Sequence, residues 1–421
     1  MSDLGILCDW CALWQAPRTP EQDVAFKTGL NGRHQWSAHP GLPCRIRRDM
    51  PRDVPCVHTY GAPVRVQRPS LSHTHRHAHQ GATVWLITAG TDRVKGLTYW
   101  DKGWTCFEFA LAMMNKPANT TFHKDWAQVV DLGKTGDAQT EFARPMLPEP
   151  LAFFAGHTYG HQTFTDGADR DAIVAPMFRD TVFEMLAGIR ELDFSGVGWR
   201  DAEIEALSVN LPLCIQLTDL DLSYNEFGDT GLAAMARASS AIFLQTLRLE
   251  GNCISDAGFT ALAQVCSAGG LSTLRALSLG SNFISDGGIK SLADACAGGA
   301  LANVTDLNFE ENQISDGGIR SLADACVTGA LYNVASLNFE ENQISDDGFS
   351  AFADASAGGA FQNVAYLNFA ANRIGNDAMV SFADSCASGA LTQLKWLYID
   401  APSAQLTELC SSRGIGLNSG H

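Results

Sequence analysis

The side chains that could do chemistry fall into separate groups along the 421-residue chain. His73-Thr74-His75-Arg76-His77-Ala78-His79 would set imidazoles along one side of an extended segment, a donor set suited to Zn²⁺ or Ni²⁺. No cysteine stands at ligand spacing from it, so the run reads as solvated histidines and no metal site is assigned. Phe164-Thr165-Asp166-Gly167-Ala168-Asp169 spaces oxygens as a Ca²⁺ loop does, but lacks the closing glutamate and reads as a turn. Glu108, after Gly103-Trp104, falls in the first turn of an expected helix running to about Asn115, where the helix dipole favours a carboxylate. The largest group is spread over the second half of the chain: Asp221, Arg248, Glu250, Asn308, Glu310, Asn338 and Glu340, followed by Tyr366, Trp396 and Tyr398. Acids, amides and aromatics without a nucleophile–base pair suit recognition of a protein surface better than bond making.

The elements that must position this last group repeat. Asn225, Asn252, Asn282, Asn312, Asn342 and Asn372 each close the same phrase, at spacings of 27 and then 30 residues. In one copy Leu307 and Phe309 alternate with Asp306, Asn308 and Glu310, so the segment is a short strand with one face buried. Asn312 turns the chain, and its amide is expected to bond backbone groups of its own turn and the neighbouring one. Asp316 is expected to cap a helix whose apolar face is Ile319, Leu322, Ala323 and Cys326, and Thr328-Gly329 ends it. A period in this range marks a solenoid. The phrase L-x-x-L-x-L-x-x-N-x-I has the leucine-rich-repeat form, and a strand plus a full helix per repeat is similar to the ribonuclease-inhibitor subtype. That resemblance implies a horseshoe over 191–421, with Leu192-Asp193-Phe194 as a worn first repeat and Leu397-Tyr398-Ile399 with 406–409 as the worn last one. On its concave face Asp221, Arg248, Ser278, Asn308, Asn338, Asn368 and Tyr398 form one column. Asp219, Asp306, Ser336, Tyr366 and Trp396 stand to one side of it, and Glu250, Glu310, Glu340 and Asp400 to the other. The three aromatics either anchor a partner or cover the open end.

Bulk properties narrow the partners. Residues 201–400 carry 24 acidic and 7 basic side chains, the whole of the net charge of −17; the rest of the chain is balanced. An anionic solenoid excludes nucleic acid and favours a basic protein, although acidity alone also keeps such a surface soluble. No apolar run approaches the ~20 residues a bilayer requires, and the start lacks the pattern of a secretory signal, so no membrane contact is expected. Of twelve cysteines, Cys266, Cys296, Cys326 and Cys386 share one helix slot with Ser356, which marks a small buried packing position and suits a reducing, cytoplasmic setting.

The first 115 residues read differently. Strand-like Gly5–Cys11, a helix around Gln22–Leu30, the strand Ala82–Thr88 and the helix after Gly103 suggest a small α/β sheet with parallel strands. Asp9-Trp10-Cys11 and Gln15, with Gly103-Trp104 to Glu108, make this region similar to the TIR-like domain that precedes leucine-rich repeats in large protist families. The resemblance covers about 1–43 and 82–115; it lacks the first strand and helix of that fold and has Lys102 before Gly103. It implies NAD⁺-cleaving activity with Glu108 as the catalytic carboxylate, steadying charge on the ribose as nicotinamide leaves. Residues 44–81, rich in arginine and proline without an apolar period, read as a disordered insertion. Residues 116–190 read as a linker with a strand-like piece at Phe122–Leu132, ending in a helix over Asp171–Gly188 that caps the solenoid.

The fold expected is therefore α/β: a strand–helix solenoid behind a small TIR-like domain. The function expected is an interaction or signalling scaffold that takes a basic protein on its acidic concave face and needs no cofactor. The alternatives are a TIR-like NAD⁺ glycohydrolase with the repeats as sensor, which would use NAD⁺, and a GTPase-activating protein like the Ran activator, for which only repeat subtype and acidity speak.

Overall fold

The computed structural model describes Val84–Leu86, Val129–Asp131, Thr140–Glu141, Ala168, Phe183 and residues 186–419. The chain divides into two units, 1–185 and 186–421. In the first, β1 (Val84–Leu86), β2 (Val129–Asp131) and β3 (Thr140–Glu141) form a sheet in that order, β1 parallel to β2 and β3 antiparallel to it. The expected strand at Ala82–Thr88 contains β1, and the strand-like piece at Phe122–Leu132 contains β2. The antiparallel pair follows from length: the connection 132–139 is shorter than the dozen residues a parallel crossover needs. Glu108, the 44–81 segment, the histidine run and the expected helix up to residue 185 (Phe183 excepted) lie outside the described residues.

The second unit is a solenoid. Nine parallel strands stack in sequence order: β4 (Glu191–Asp193), β5 (Asp219–Asp221), β6 (Thr246–Arg248), β7 (Ala276–Ser278), β8 (Asp306–Asn308), β9 (Ser336–Asn338), β10 (Tyr366–Asn368), β11 (Trp396–Tyr398) and β12 (Gly416–Asn418). Between them run α1 (Asp201–Asn210), α2 (Asp229–Ala238), α3 (Asp256–Ser267), α4 (Asp286–Ala297), α5 (Asp316–Val327), α6 (Asp346–Ala357), α7 (Asn376–Ala387) and α8 (Ala404–Arg413). Strands pack about 4.8 Å apart and helices about 8–10 Å apart, so the sheet side of such a stack is the inner, concave one. The register pairs equivalent residues throughout, for example Asp221 with Arg248, Arg248 with Ser278 and Ser278 with Asn308.

Between the layers the core changes character along the stack. Leu249 and Leu279 give way to Phe309, Phe339 and Phe369, whose rings stack at 5.7 and 5.5 Å and join Phe349, Phe352 and Phe382 from α6 and α7. The cysteine slot is buried as its spacing predicts. Burial pushes the thiols of Cys266, Cys296 and Cys326 up to about 12, so they stay protonated and unreactive. Ser356 fits the same slot by returning its hydroxyl to the Phe352 carbonyl at 2.8 Å.

Buried turns are held by asparagine. The Asn312 amide donates to the Leu279 carbonyl of the preceding repeat and to the Phe309 and Glu310 carbonyls of its own turn, at 3.0–3.2 Å, while its carbonyl accepts from the Ile284 N–H at 3.0 Å. Asn282, Asn342 and Asn372 make the same set. The residue before each asparagine is left-handed, with φ 53° at Glu311 and 52° at Glu341. Helix ends are equally uniform. Gly329 (φ 96°) donates to the Cys326 carbonyl and Ala330 to the Ala325 carbonyl, a Schellman close that recurs at Gly269, Gly299, Gly359 and Gly389.

One expectation is corrected. Asp316 is not the helix cap: Ser315, in extended conformation, holds that position and Asp316 is the first helical residue. From there its carboxylate reaches forward to the next repeat, accepting from the Ser345 N–H at 2.7 Å and the Ser345 hydroxyl at 2.6 Å. Asp229 and Asp286 do the same to Ser255 and Ser315. A Cβ on Gly348 would lie 2.5 Å from the Asp316 carboxylate oxygen and 2.8 Å from its Cα, which is why glycine stands there. The closing strand β12, after left-handed Gly414 (φ 68°), extends the stack beyond the last repeat the sequence suggested.

Two outcomes are expected. Asn312→Ala orphans buried backbone groups in two repeats and should cost about 3 kcal/mol in urea unfolding, at ~1–3 kcal/mol per buried unpaired group, whereas exposed Gln313→Ala should change little. The Asp316 carboxyl is pushed up by burial, but the Ser345 hydroxyl, the Ser345 and Gly348 N–H groups and Arg320 outweigh this and hold it below its ordinary value. A lowered folded pKa gives stability that is complete above the unfolded value, about 3.9, and lost as pH falls through the folded one. The stability difference between wild type and Asp316→Asn should therefore be constant near neutrality and close below pH ~4.

Candidate functional site

The strand residues that do not enter the core form three rows on the concave face. The first row contains Asp219, Thr246, Ala276, Asp306, Ser336, Tyr366 and Trp396; the second Asp221, Arg248, Ser278, Asn308, Asn338, Asn368 and Tyr398. The third, two residues further on, runs Ser223, Glu250, Gly280, Glu310, Glu340, Ala370 and Asp400; the Gly251 N–H meets the Gly280 carbonyl, and the Ser281 and Glu311 N–H groups meet the Glu310 and Glu340 carbonyls. All the residues singled out in the second half of the sequence stand here, on one face. Glu108 lies outside the described residues.

The rows are cross-linked in a way the sequence did not reveal. Each glutamate of the third row accepts from a second-row side chain of the following repeat: Glu310 from the Asn338 amide at 3.1 Å, Glu340 from the Asn368 amide at 2.7 Å, and Glu250 from the Ser278 hydroxyl, whereas Asp400 accepts from the Ala371 N–H of the preceding repeat. Each second-row amide oxygen in turn accepts from the backbone N–H two residues on, as Asn308 does from Glu310 at 3.0 Å. The only possible signal for this was the row assignment itself, since the partners are 28 residues apart. Held this way, the side chains are ordered before any partner arrives, which reduces the entropy cost of binding.

Charge on the face is one-sided. In the three rows Arg248 is the one cation, and Asp221 holds it at 3.8 Å. Glu310 is half-buried, and its pKa lies above the ordinary value because of burial and then the neighbouring Glu340 charge, with the Asn338 bond opposing. Tyr366 is likewise raised, first by burial and then by Tyr398.

At the C-terminal end Tyr366 and Tyr398 form a ring pair at 5.1 Å, tilted by 41°. Trp396 does something else. Its indole lies across Gly416 of the closing strand, where a Cβ would come within 2.4 Å of the ring, yet the side chain remains 54% exposed. The indole thus covers the closing strand, while the tyrosine pair stands on the face. Among the described residues there is no cluster of metal-ligating side chains, and no helix is long and apolar enough to cross a membrane.

The model of the family described as "Leucine Rich repeat" matches residues 214–236, 241–263, 270–293 and 300–323, so this part of the solenoid is similar to leucine-rich repeats. No curated protein matches the chain. Similar solved structures include an internalin from Listeria monocytogenes strain 4b F2365, at 22% identity and TM-score 0.37, covering 57% of this chain and 56% of that one. Internalin C2 of the same strain is similar at 20% identity and TM-score 0.32, covering 52% of this chain and 83% of its own.

If Glu340 raises Glu310 through space, removing its charge should lower the Glu310 midpoint. A carboxyl NMR titration of Glu340→Gln should show that fall; an unmoved Glu310 would mean the shift comes from burial alone.

Proposed function

We propose that this protein is an interaction scaffold whose concave face binds a basic partner protein. The observation that carries the reading is the row Glu250, Glu310, Glu340 and Asp400, placed on one face by the repeat and countered there only by an arginine already paired with Asp221. The Glu340 charge opposes ionisation of Glu310, so a cation set between the two carboxylates would gain from both. The ordered amides offer directional contacts, and the Tyr366–Tyr398 pair offers the kind of aromatic anchor on which interface affinity concentrates. Leucine-rich repeats present such a face in general; the acidity, and the basic partner it implies, belong to this chain.

A fluorescein-labelled, end-capped peptide of alternating lysine and glycine is a direct probe, followed by fluorescence anisotropy with the full chain. Binding is expected, weakening as ionic strength rises from about 0.01 to about 0.15 M, where the screening length shrinks from ~30 to ~8 Å. Glu310→Lys with Glu340→Lys should reduce affinity at least tenfold. Equal binding by that double variant would show that the concave row is not the binding face.

A further inference from the structure

The ladder of third-row glutamates is interrupted between Glu250 and Glu310, and the break has a chemical meaning. In the third row glycine stands at 280 where Glu250, Glu310 and Glu340 stand in neighbouring repeats. The amides of Asn338 and Asn368 each have a carboxylate to donate to; the amide nitrogen of Asn308 has none, because its partner would be the missing side chain of residue 280. A Cβ built on Gly280 would lie 3.4 Å from that nitrogen. The same repeat is short of side chain in the other two rows, with Ala276 and Ser278. Ala276 and Ser278, beside Gly280, floor a shallow depression flanked by Arg248 and Glu250 on one side and by Asp306 and Asn308 on the other, its lining continuing to Ser336, Asn338 and Tyr366.

Over β7 itself the flanking strands β6 and β8 stand two spacings apart, about 9–10 Å, which leaves room for one extended chain above the small residues. The open donor calls for an acceptor. A carboxylate would meet Glu250, Asp306 and Glu310 around it, so a neutral carbonyl suits the position and cationic side chains suit its surroundings. Asp306 keeps one carboxylate oxygen for such a contact, the other accepting from the Thr305 hydroxyl at 2.7 Å.

We propose that the trough over β7 receives an extended, small-residue segment of the basic partner, a main-chain carbonyl of that segment taking the Asn308 amide while flanking lysine or arginine side chains reach Asp306, Glu310 and Glu250. The proposal rests on the basic-partner reading and locates it: the register of the partner is set where the repeat is emptiest, not where its acids are densest.

The lysine–glycine peptide separates the two ideas. Ala276→Tyr with Ser278→Tyr fills the trough without changing charge, using a residue the chain already places in these rows at Tyr366 and Tyr398. Gly280→Glu restores the missing carboxylate and adds negative charge; its Cβ would make only ordinary contacts of 3.4–3.6 Å. Both variants should keep the wild-type circular dichroism spectrum and cooperative melt, and Gly280→Ala should bind as wild type does. The trough predicts a loss of more than tenfold in affinity for the filled variant and for Gly280→Glu. Unchanged or tighter binding by both overturns the trough and leaves the acidic-face reading standing, since more negative charge can only help attraction alone. Absence of binding by wild type overturns both.

Discussion

A turn that is buried on every side must still satisfy its peptide groups, and this solenoid meets that requirement with one side chain per repeat. The asparagine at 225, 252, 282, 312, 342 and 372 has both an acceptor and two donors on a short arm, so it can tie its own turn and the previous one together. Leucine would fill the volume and leave the carbonyls unpaired; glutamine would overshoot. Because every asparagine reaches back one repeat, no turn is complete alone, and the stack is cooperative along its axis. The strand register, the alignment of the three concave rows and the forward reach of the Asp229, Asp286 and Asp316 carboxylates all presuppose those fixed turns.

The same constraint decides which side chains are free to recognise anything. Strand residues that point inward are spent on the leucine and phenylalanine core, and the helix starts are spent on the aspartate–serine links. On the sheet side what remains is the concave face, where strand spacing sets the distance between rungs and the rows keep a constant register. Even there most polar atoms are committed: Glu310 and Glu340 hold the next repeat's amides, and Arg248 is held by Asp221. A partner of the proposed kind would therefore meet side chains already tied to one another, and complementarity in register would matter as much as total charge.

The period-two pattern of 306–310 and the apolar spacing after Asp316 made the strand, the helix and their alternation readable, and Asn312 showed what held the turn. Those features are local or recur at a fixed period. Asp316 was misplaced by one residue, since a serine and an aspartate side by side are both good caps and only backbone conformation shows that Ser315 is the extended one. The Glu310–Asn338 bond was invisible because it depends on which way a side chain leans across a strand gap. The strand β12 was missed because Gly416-Leu417-Asn418 is too short to show a period and is defined by pairing with β11. The aromatic end was legible as a group but not as two roles, which separate only when Trp396 is seen across Gly416 and the tyrosines are seen against each other.

A repeat architecture makes departures more informative than conformities. Each position in this solenoid has several internal controls, so a residue that differs from its equivalents is under a different demand from theirs. The cysteine-to-serine change at 356 is absorbed without consequence, since the hydroxyl bonds to its own helix and the slot stays buried. The glutamate-to-glycine change at 280 is not absorbed. No neighbouring side chain takes over the vacated bond to Asn308, and two further small residues enlarge the opening instead of closing it. Loss of the glutamate gives up a rung that the surrounding repeats retain and leaves the Asn308 amide open on the face. On the proposed reading that opening is what a partner uses, so the least substituted strand of the face, and not its most charged one, is where recognition would be set.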